Sequence, residues 1–403
     1  MTRPLRAYLD HASATAVRPE VVEVVAGTMR RVGNPSSLHA SGRAARRVVE
    51  EARESIAADL GVRPSDVVFT AGATEADNLG VLGLARGRHA VDPRRTRVLA
   101  SAVEHHAVLD PVLWLGRATP STVQWLPVDA AGRLDLAATR DAVEQDPGNV
   151  ALVTVMWANN EVGTVQPIAE LLDLLGGLDI PLHVDAVQGI GALPVVVLAS
   201  VARVGSFAVS GHKLGGPVGV GALVVDPRLP LEPIVHGGGQ ERGVRSGTLD
   251  AAAVAGLALA LRLAVQQQDD QAHRLAALRE RLRSGVLAVA PDAVVNGHPE
   301  HHLPGILHVT FPGCDGDSVL MLLDAAGIEA STGSACSAGV PEPSHVLLAM
   351  GQDAELATAS VRFSLGRTST AAEVDAVIEA LPGVLDRARR ARRLSQALAA
   401  REV

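Results

Sequence analysis

A lysine in a glycine-rich turn, SGHKLGGPVGVGAL, is the first residue whose surroundings suggest chemistry. Lys213 lies between two apolar runs that read as buried strands. A solvated surface turn is one explanation, because lysines are rarely buried. A lysine held in a cleft would instead have a depressed pKa and condense with an aldehyde. A cofactor of the pyridoxal phosphate (PLP) kind needs three further parts. Asp185, in HVDAVQG, ends a strand-like run 28 residues before the lysine, and a carboxylate there would keep a ring nitrogen protonated. Gly72-Ala73-Thr74 joins a strand-like run to a helical one, a natural cradle for a phosphate. His105, in VEHHAV, is a flat group that could cover a ring face. Each part alone also fits a turn or a structural histidine; the four together are hard to assign to chance.

Cys336 poses a different problem. It sits in STGSACSAG, among small residues that build no wall around a sulfur atom. A thiolate in such a loop is accessible, and a thiolate is a nucleophile. The other cysteine, Cys314 in FPGCDGDS, reads as structural.

These residues need elements to hold them. Apolar residues from Ala44 to Leu60 recur at helical spacing, with Gly61 as a stop. VVFT, RVLASAVEHHAV, ALVTVMWANNEVG, IPLHVDAVQG, VGSFAVSGHK and VGALVVD each carry a strand-length apolar run that ends in a polar cluster, several separated by helical segments. This alternation argues for an α/β fold with a mostly parallel sheet, whose ligands sit at the carboxyl ends of the strands. The polar clusters fall at those ends. Beyond about Ala260 the pattern changes to a long charged helix and then a smaller α+β region.

Composition narrows the classes. A chain of 403 residues with 47% hydrophobic content can bury a large core, and 2% aromatics means a core mostly of Ala, Val and Leu. A formal net charge of −8 gives no electrostatic reason to expect nucleic-acid binding. Two cysteines cannot form a disulfide framework and point to a reducing compartment. The N-terminus has no apolar run of the signal-peptide type, and no stretch is long enough to span a membrane. The expectation is a soluble, cytoplasmic protein.

YLDHASAT, GNPSSLHASGRAARR, FTAGATEADNLG, EHHAVLD, ANNEVGTVQPI, HVDAVQGIG, SGHKLGGPVGVGAL, HGGGQERGVRSGT, STGSACSAG and SVRFSLGR together resemble the cysteine desulfurases. These are PLP enzymes of the class V aminotransferase fold, and the likeness is to the branch related to the iron–sulfur housekeeping enzyme. It covers almost the whole chain in the family's motif order. The resemblance implies a large PLP-binding domain at 15–260. A small domain would comprise 1–14 and 261–403, with a mobile cysteine loop at about 331–343. Lys213 would carry the cofactor and later move the substrate's Cα proton. Asp185 would pair with the ring nitrogen, His105 would stack on the ring, and Gln188 would reach the phenolic oxygen. Asn160 would serve that oxygen or the substrate carboxylate. Thr74, Ser210 and His212 would hold the phosphate with the Ala73 N–H, and Thr248 would reach the phosphate in the other subunit of a homodimer. Arg362 would clamp the substrate carboxylate through two bonds, a geometry lysine cannot copy.

The activity implied is conversion of L-cysteine to L-alanine, with the sulfur passing to Cys336 as a persulfide and on to an acceptor or scaffold protein. A selenocysteine lyase of the same fold and a non-catalytic assembly subunit are the alternatives. HASATAVRP departs from the family's usual run, near the cofactor but without touching the residues named above. His106 is expected at the surface, and the basic RARRARRLSQALAARE reads as a solvated helix near the scaffold-docking end.

Overall fold

The computed structural model describes residues 6–333 and 343–399. Seven strands form the main sheet: β1 (Val67–Thr70), β2 (Arg97–Ser101), β3 (Thr122–Leu126), β4 (Val150–Thr154), β5 (Leu182–Asp185), β6 (Gly205–Ser210) and β7 (Gly221–Val225). Their order is β1-β7-β6-β5-β4-β2-β3. Pairing is parallel from β6 through β5, β4 and β2 to β3, and antiparallel on both sides of β7. Two antiparallel steps restore direction, so β1 points the same way as β6. The carboxyl ends of β1, β2, β4, β5 and β6 therefore share one edge.

Helices cover both faces, which is why β1, β4, β5, β6 and β7 are buried at every position and read as unbroken apolar runs. The helix Ala40–Leu60 buries Val49, Ala52, Ile56 and Leu60 on one stripe. His39 caps its start by accepting from the Gly42 N–H, and Gly61 ends it at φ 69°, a left-handed position that favours glycine. All four phenylalanines are fully buried, two in each sheet's core, amid alanine, valine and leucine.

A second, antiparallel sheet is built from β8 (Val294–Asn296), β9 (Ile306–Thr310) and β10 (Ser360–Ser364), in the order β10-β9-β8. The long helices Gln268–Val289 and Ala371–Ala399 pack on it over Leu282, Val286, Leu307, Phe363 and Leu381. The N-terminal segment joins this unit: Ala7–Tyr8 pairs with Ile328–Glu329, and Asp10 bridges Ser364. Residues 11–15 then cross to the main sheet's active edge. Among the described residues no helix is long and apolar enough to cross a membrane.

Candidate active site

A cavity of about 620 Å³ opens at the shared carboxyl edge of the main sheet. Ala73, Thr74, His105, Asn160, Asp185, Gln188, Ser210, His212, Lys213 and Arg362 all line it. These residues come from six separate stretches of chain, five of them at the end of a main-sheet strand or in the segment after one, and the sixth, Arg362, from the middle of β10.

Asp185 is the last residue of β5, 6% exposed, and its Oδ1 accepts the Val187 N–H at 2.9 Å. Burial raises its pKa, while His105, the Val187 N–H and Lys213 pull it back toward the anion. His105 caps the helix His106–Ala118, its Nδ1 accepting the Ala107 N–H at 3.1 Å. That bond assigns the proton of the neutral ring to Nε2. The cleft walls lower the His105 pKa by desolvation, against the pull of Asp185, although the ring is open toward the cavity.

Behind this wall lie two more carboxyl groups, Asp77 and Glu104, both fully buried. Asp77 Oδ1 meets His183 Nε2 at 3.1 Å, and Glu104 Oε1 accepts the Met156 N–H at 2.8 Å. One oxygen of each has no hydrogen-bond partner among the described residues. Burial, with Asp185 adding repulsion, holds both far above the ordinary carboxylate range. Burial also pushes His183 down to about 3. Burial therefore favours the protonated form of Asp77 and Glu104, and of the three carboxyl groups Asp185 has the best support for a negative charge.

The phosphate-sized end of the cavity is made by the turn 71–74. A continuous helix starts at Ala73 and runs through a π turn at Leu79–Gly83 to Val91. Its first-turn N–H groups have no carbonyl of their own helix to bond. The turn can lie against β7 because Gly221 has no side chain; a Cβ there would stand 2.7 Å from the Gly72 carbonyl carbon. Ser210 Oγ and His212 Nδ1 lie 2.8 Å apart beside it. Hydroxyls, free N–H groups and a helix N-terminus suit a phosphate. A lysine, a carboxylate and an imidazole suit a pyridine aldehyde. The donor set fits PLP.

Lys213 lies in the turn between β6 and β7. Its Nζ donates to the carbonyls of Ala12 at 2.5 Å and Ser13 at 2.6 Å. Burial and the neighbouring Arg362 lower its pKa to about 8, against Asp10 and Asp185. Arg362, on β10, is 3% exposed. Its Nη1 donates to the Asn160 carbonyl at 2.9 Å, and its Nη2 donates to Asp10 Oδ1 and Ser13 Oγ, both at 2.7 Å. Its Nε is buried with no hydrogen-bond partner among the described residues. Gln188 Nε2 donates to the Ala12 carbonyl at 3.0 Å.

The last contacts correct one expectation. The segment HASATAVRP touches Lys213, Arg362 and Gln188 directly, because the chain crosses from the small sheet to the main one between Asp10 and Thr15. Asp10 and Ser13 belong to the site, and nothing in the pattern of the sequence ties them to a residue about 350 positions away.

Thr248 is exposed and does not line the cavity. Its loop, 235–249, is pinned to the main body at Glu241, at Arg242, whose Nη2 donates to the Val67 carbonyl at 3.1 Å, and at Arg245. Glu241 is clasped by both terminal nitrogens of Arg53 at 2.8–2.9 Å, and Arg245 by Glu75. Cys336 lies outside the described residues; the residues before it, Ser331 and Gly333, line the cavity. On the other flank Ser344 Oγ donates to the buried Glu161 Oε2 at 2.5 Å. Cys314 is buried in the small core, where desolvation raises its thiol pKa. His106 is partly exposed beside Asp110. In the basic stretch, Arg389 and Arg392 pair with Asp292 and Glu355.

Residues 7–377 match the model of the aminotransferase class-V family. The chain is 52% identical over 386 residues to an IscS-like cysteine desulfurase of Mycobacterium tuberculosis, covering 96% of this chain and 98% of that one. It is similar to the solved structure of a NifS-like protein at a TM-score of 0.86 and 34% identity, over 95% of this chain and 100% of that one. The structure of SspA in complex with cysteine matches at a TM-score of 0.75 and 31% identity, over 90% and 100%.

Proposed function

The chain belongs to the aminotransferase class-V family, and we propose that within it this protein is a PLP-dependent cysteine desulfurase that stores sulfur on Cys336. The observation that carries this reading is the convergence of Lys213, Asp185, His105 and Arg362 on one cavity. When bound, PLP supplies an electron sink that makes the substrate's Cα proton acidic and its Cβ–S bond labile. Lys213 would hold the cofactor and would serve as the base for the Cα proton; a pKa of about 8 suits an amine that both takes and gives it. Asp185 would keep a ring nitrogen protonated, and His105 would cover a ring face. Thr74, Ser210, His212 and the Ala73 N–H would hold the phosphate, and Gln188 and Asn160 would serve the cofactor's oxygen and the substrate. Arg362 takes the substrate carboxylate.

The Cys336 thiolate then attacks the substrate sulfur. An S–S bond forms, the Cβ–S bond breaks with its electron pair staying on carbon, and that carbon takes a proton to become the alanine methyl group. No oxidant is required. The persulfide passes to an acceptor protein. The proposal places this enzyme in the reducing cytoplasm as a homodimer, with Thr248 reaching the partner subunit's phosphate site.

The test is direct. The purified protein should be yellow, and borohydride should fix the cofactor to the peptide containing Lys213. L-cysteine should yield alanine and a persulfide on Cys336, read by mass spectrometry, and Cys336→Ala should keep the colour but release no alanine. Label on another lysine, or alanine at the wild-type rate from Cys336→Ala, overturns the assignment. Turnover of L-selenocysteine alone redirects it to a lyase.

A further inference from the structure

A phosphate cradle with a glutamate in it needs an explanation. Glu75 lines the cavity one residue after Thr74, in the first turn of the helix that would hold the dianion. Its Oε2 accepts the Ala71 N–H at 2.7 Å, which closes the turn 71–75. An acidic side chain at a helix N-terminus stabilises the helix. The same charge, on a residue lining the cavity beside Thr74, would oppose a bound dianion. The fold gains from Glu75 what ligand binding loses.

The compensation comes from a distant loop. Arg245 Nε donates to Glu75 Oε1 at 2.7 Å and its Nη2 to Oε2 at 3.2 Å, a two-pronged pair across 170 residues. The side chains are 16% and 17% exposed, so the pair is only partly screened by solvent. Among the described residues Arg245 forms an ion pair with no other acidic side chain, and Glu241, four residues before it, is already clasped by Arg53.

We propose that Arg245 is a positioning residue that neutralises Glu75, so that the turn 71–75 keeps its glutamate latch and still accepts a dianionic phosphate. The inference rests on the proposed cofactor site. It differs from it in predicting which part of the cofactor Arg245 affects. The phosphate feels the Glu75 charge, and the ring and aldehyde do not.

Full-length protein stripped of cofactor is titrated with PLP and separately with pyridoxal, which lacks the phosphate, following the absorbance of the bound form. Arg245→Gln should weaken PLP about tenfold, the scale of one partly buried charge at a helix end, and leave pyridoxal within about twofold. Arg245→Lys should stay near wild type for both. The double variant Glu75→Gln, Arg245→Gln should regain most of the lost PLP affinity, because the amide still accepts the Ala71 N–H and carries no charge. If Arg245→Gln does not fold, Glu75→Gln alone decides: it must bind PLP at least as tightly as wild type. Equal losses for PLP and pyridoxal, or a double variant no better than Arg245→Gln, overturn the inference. Wild-type protein that takes up neither ligand overturns the underlying reading and this inference with it.

Discussion

The two walls of the cavity are built on opposite principles. On the sheet side, Asp185, Asp77, Glu104 and His183 are 0–6% exposed, and their side chains are held by backbone N–H groups or by one another. On the other side, Lys213 and Arg362 are held by a short turn, 10–13, through contacts that a ligand can replace. The sheet wall sets a charge once and keeps it. The turn wall holds its cations by exchangeable contacts: the Asp10 carboxylate pairs with the guanidinium that the proposed function gives to a substrate carboxylate, and the Ala12 and Ser13 carbonyls accept from Lys213. Preorganisation suits the ring, whose chemistry repeats unchanged in each cycle, and exchange suits the substrate, which must enter and leave.

The sharpest way to break this comparison is inside the sheet wall, where three buried carboxyl groups differ only in what supports their charge. Asp185 has a backbone N–H, His105 and Lys213. Glu104 has the Met156 N–H and no cation. Asp185→Asn should lower kcat on the order of a hundredfold, the usual scale for losing one buried electrostatic partner of a transition state, and shift the cofactor's absorption. Glu104→Gln, which mimics the protonated acid, should stay within about twofold in kcat. Equal losses in steady-state assays would mean that Glu104 is ionised and that the wall carries more charge than one carboxylate.

On the turn wall the effect should appear in binding. Arg362→Lys loses one of two charge-assisted bonds to the substrate carboxylate, about 1.5–3 kcal/mol, so KM for L-cysteine should rise roughly tenfold or more. Cofactor affinity should change little, because Arg362 contacts Asn160, Asp10 and Ser13. An unchanged KM would place the carboxylate elsewhere.

The same contrast explains what was legible in the sequence. The sheet wall announces itself: each buried strand is an apolar run, and Asp185 and Ser210 each close one, with His105 just beyond the next. Lys213 and Thr74 sit among glycines that the tight edge requires. The turn wall does not. Asp10 reaches Arg362 across 352 positions through a crossing between two sheets, and no periodicity encodes that. Asp77 and Glu104 were hidden for another reason. An acidic residue next to a helix or a strand end reads as solvated, and only tertiary packing strips its water. Arg245 and Glu75 stood inside recognisable motifs, yet their pairing needs the loop 235–249 folded back on the cradle.

The smallest effect, and the one that ties the walls together, concerns the charge of Lys213. Only its neutral amine attacks an aldehyde, and a neutral amine still has two N–H bonds for the Ala12 and Ser13 carbonyls. Those contacts therefore do not force it to stay protonated. Burial and Arg362 bring its pKa to about 8, while Asp10 and Asp185 hold it up. The rate at which cofactor-free protein takes up PLP should thus rise with pH and level off above about 8. Asp10→Asn removes a carboxylate that raises the pKa and leaves Arg362 less neutralised, and both changes favour the uncharged amine. The midpoint should move to lower pH, by less than about one unit because Asp10 is one contribution among four. Stopped-flow uptake at a series of pH values reads this shift. A midpoint that stays put, or moves up, would mean that the turn wall does not set the charge of Lys213.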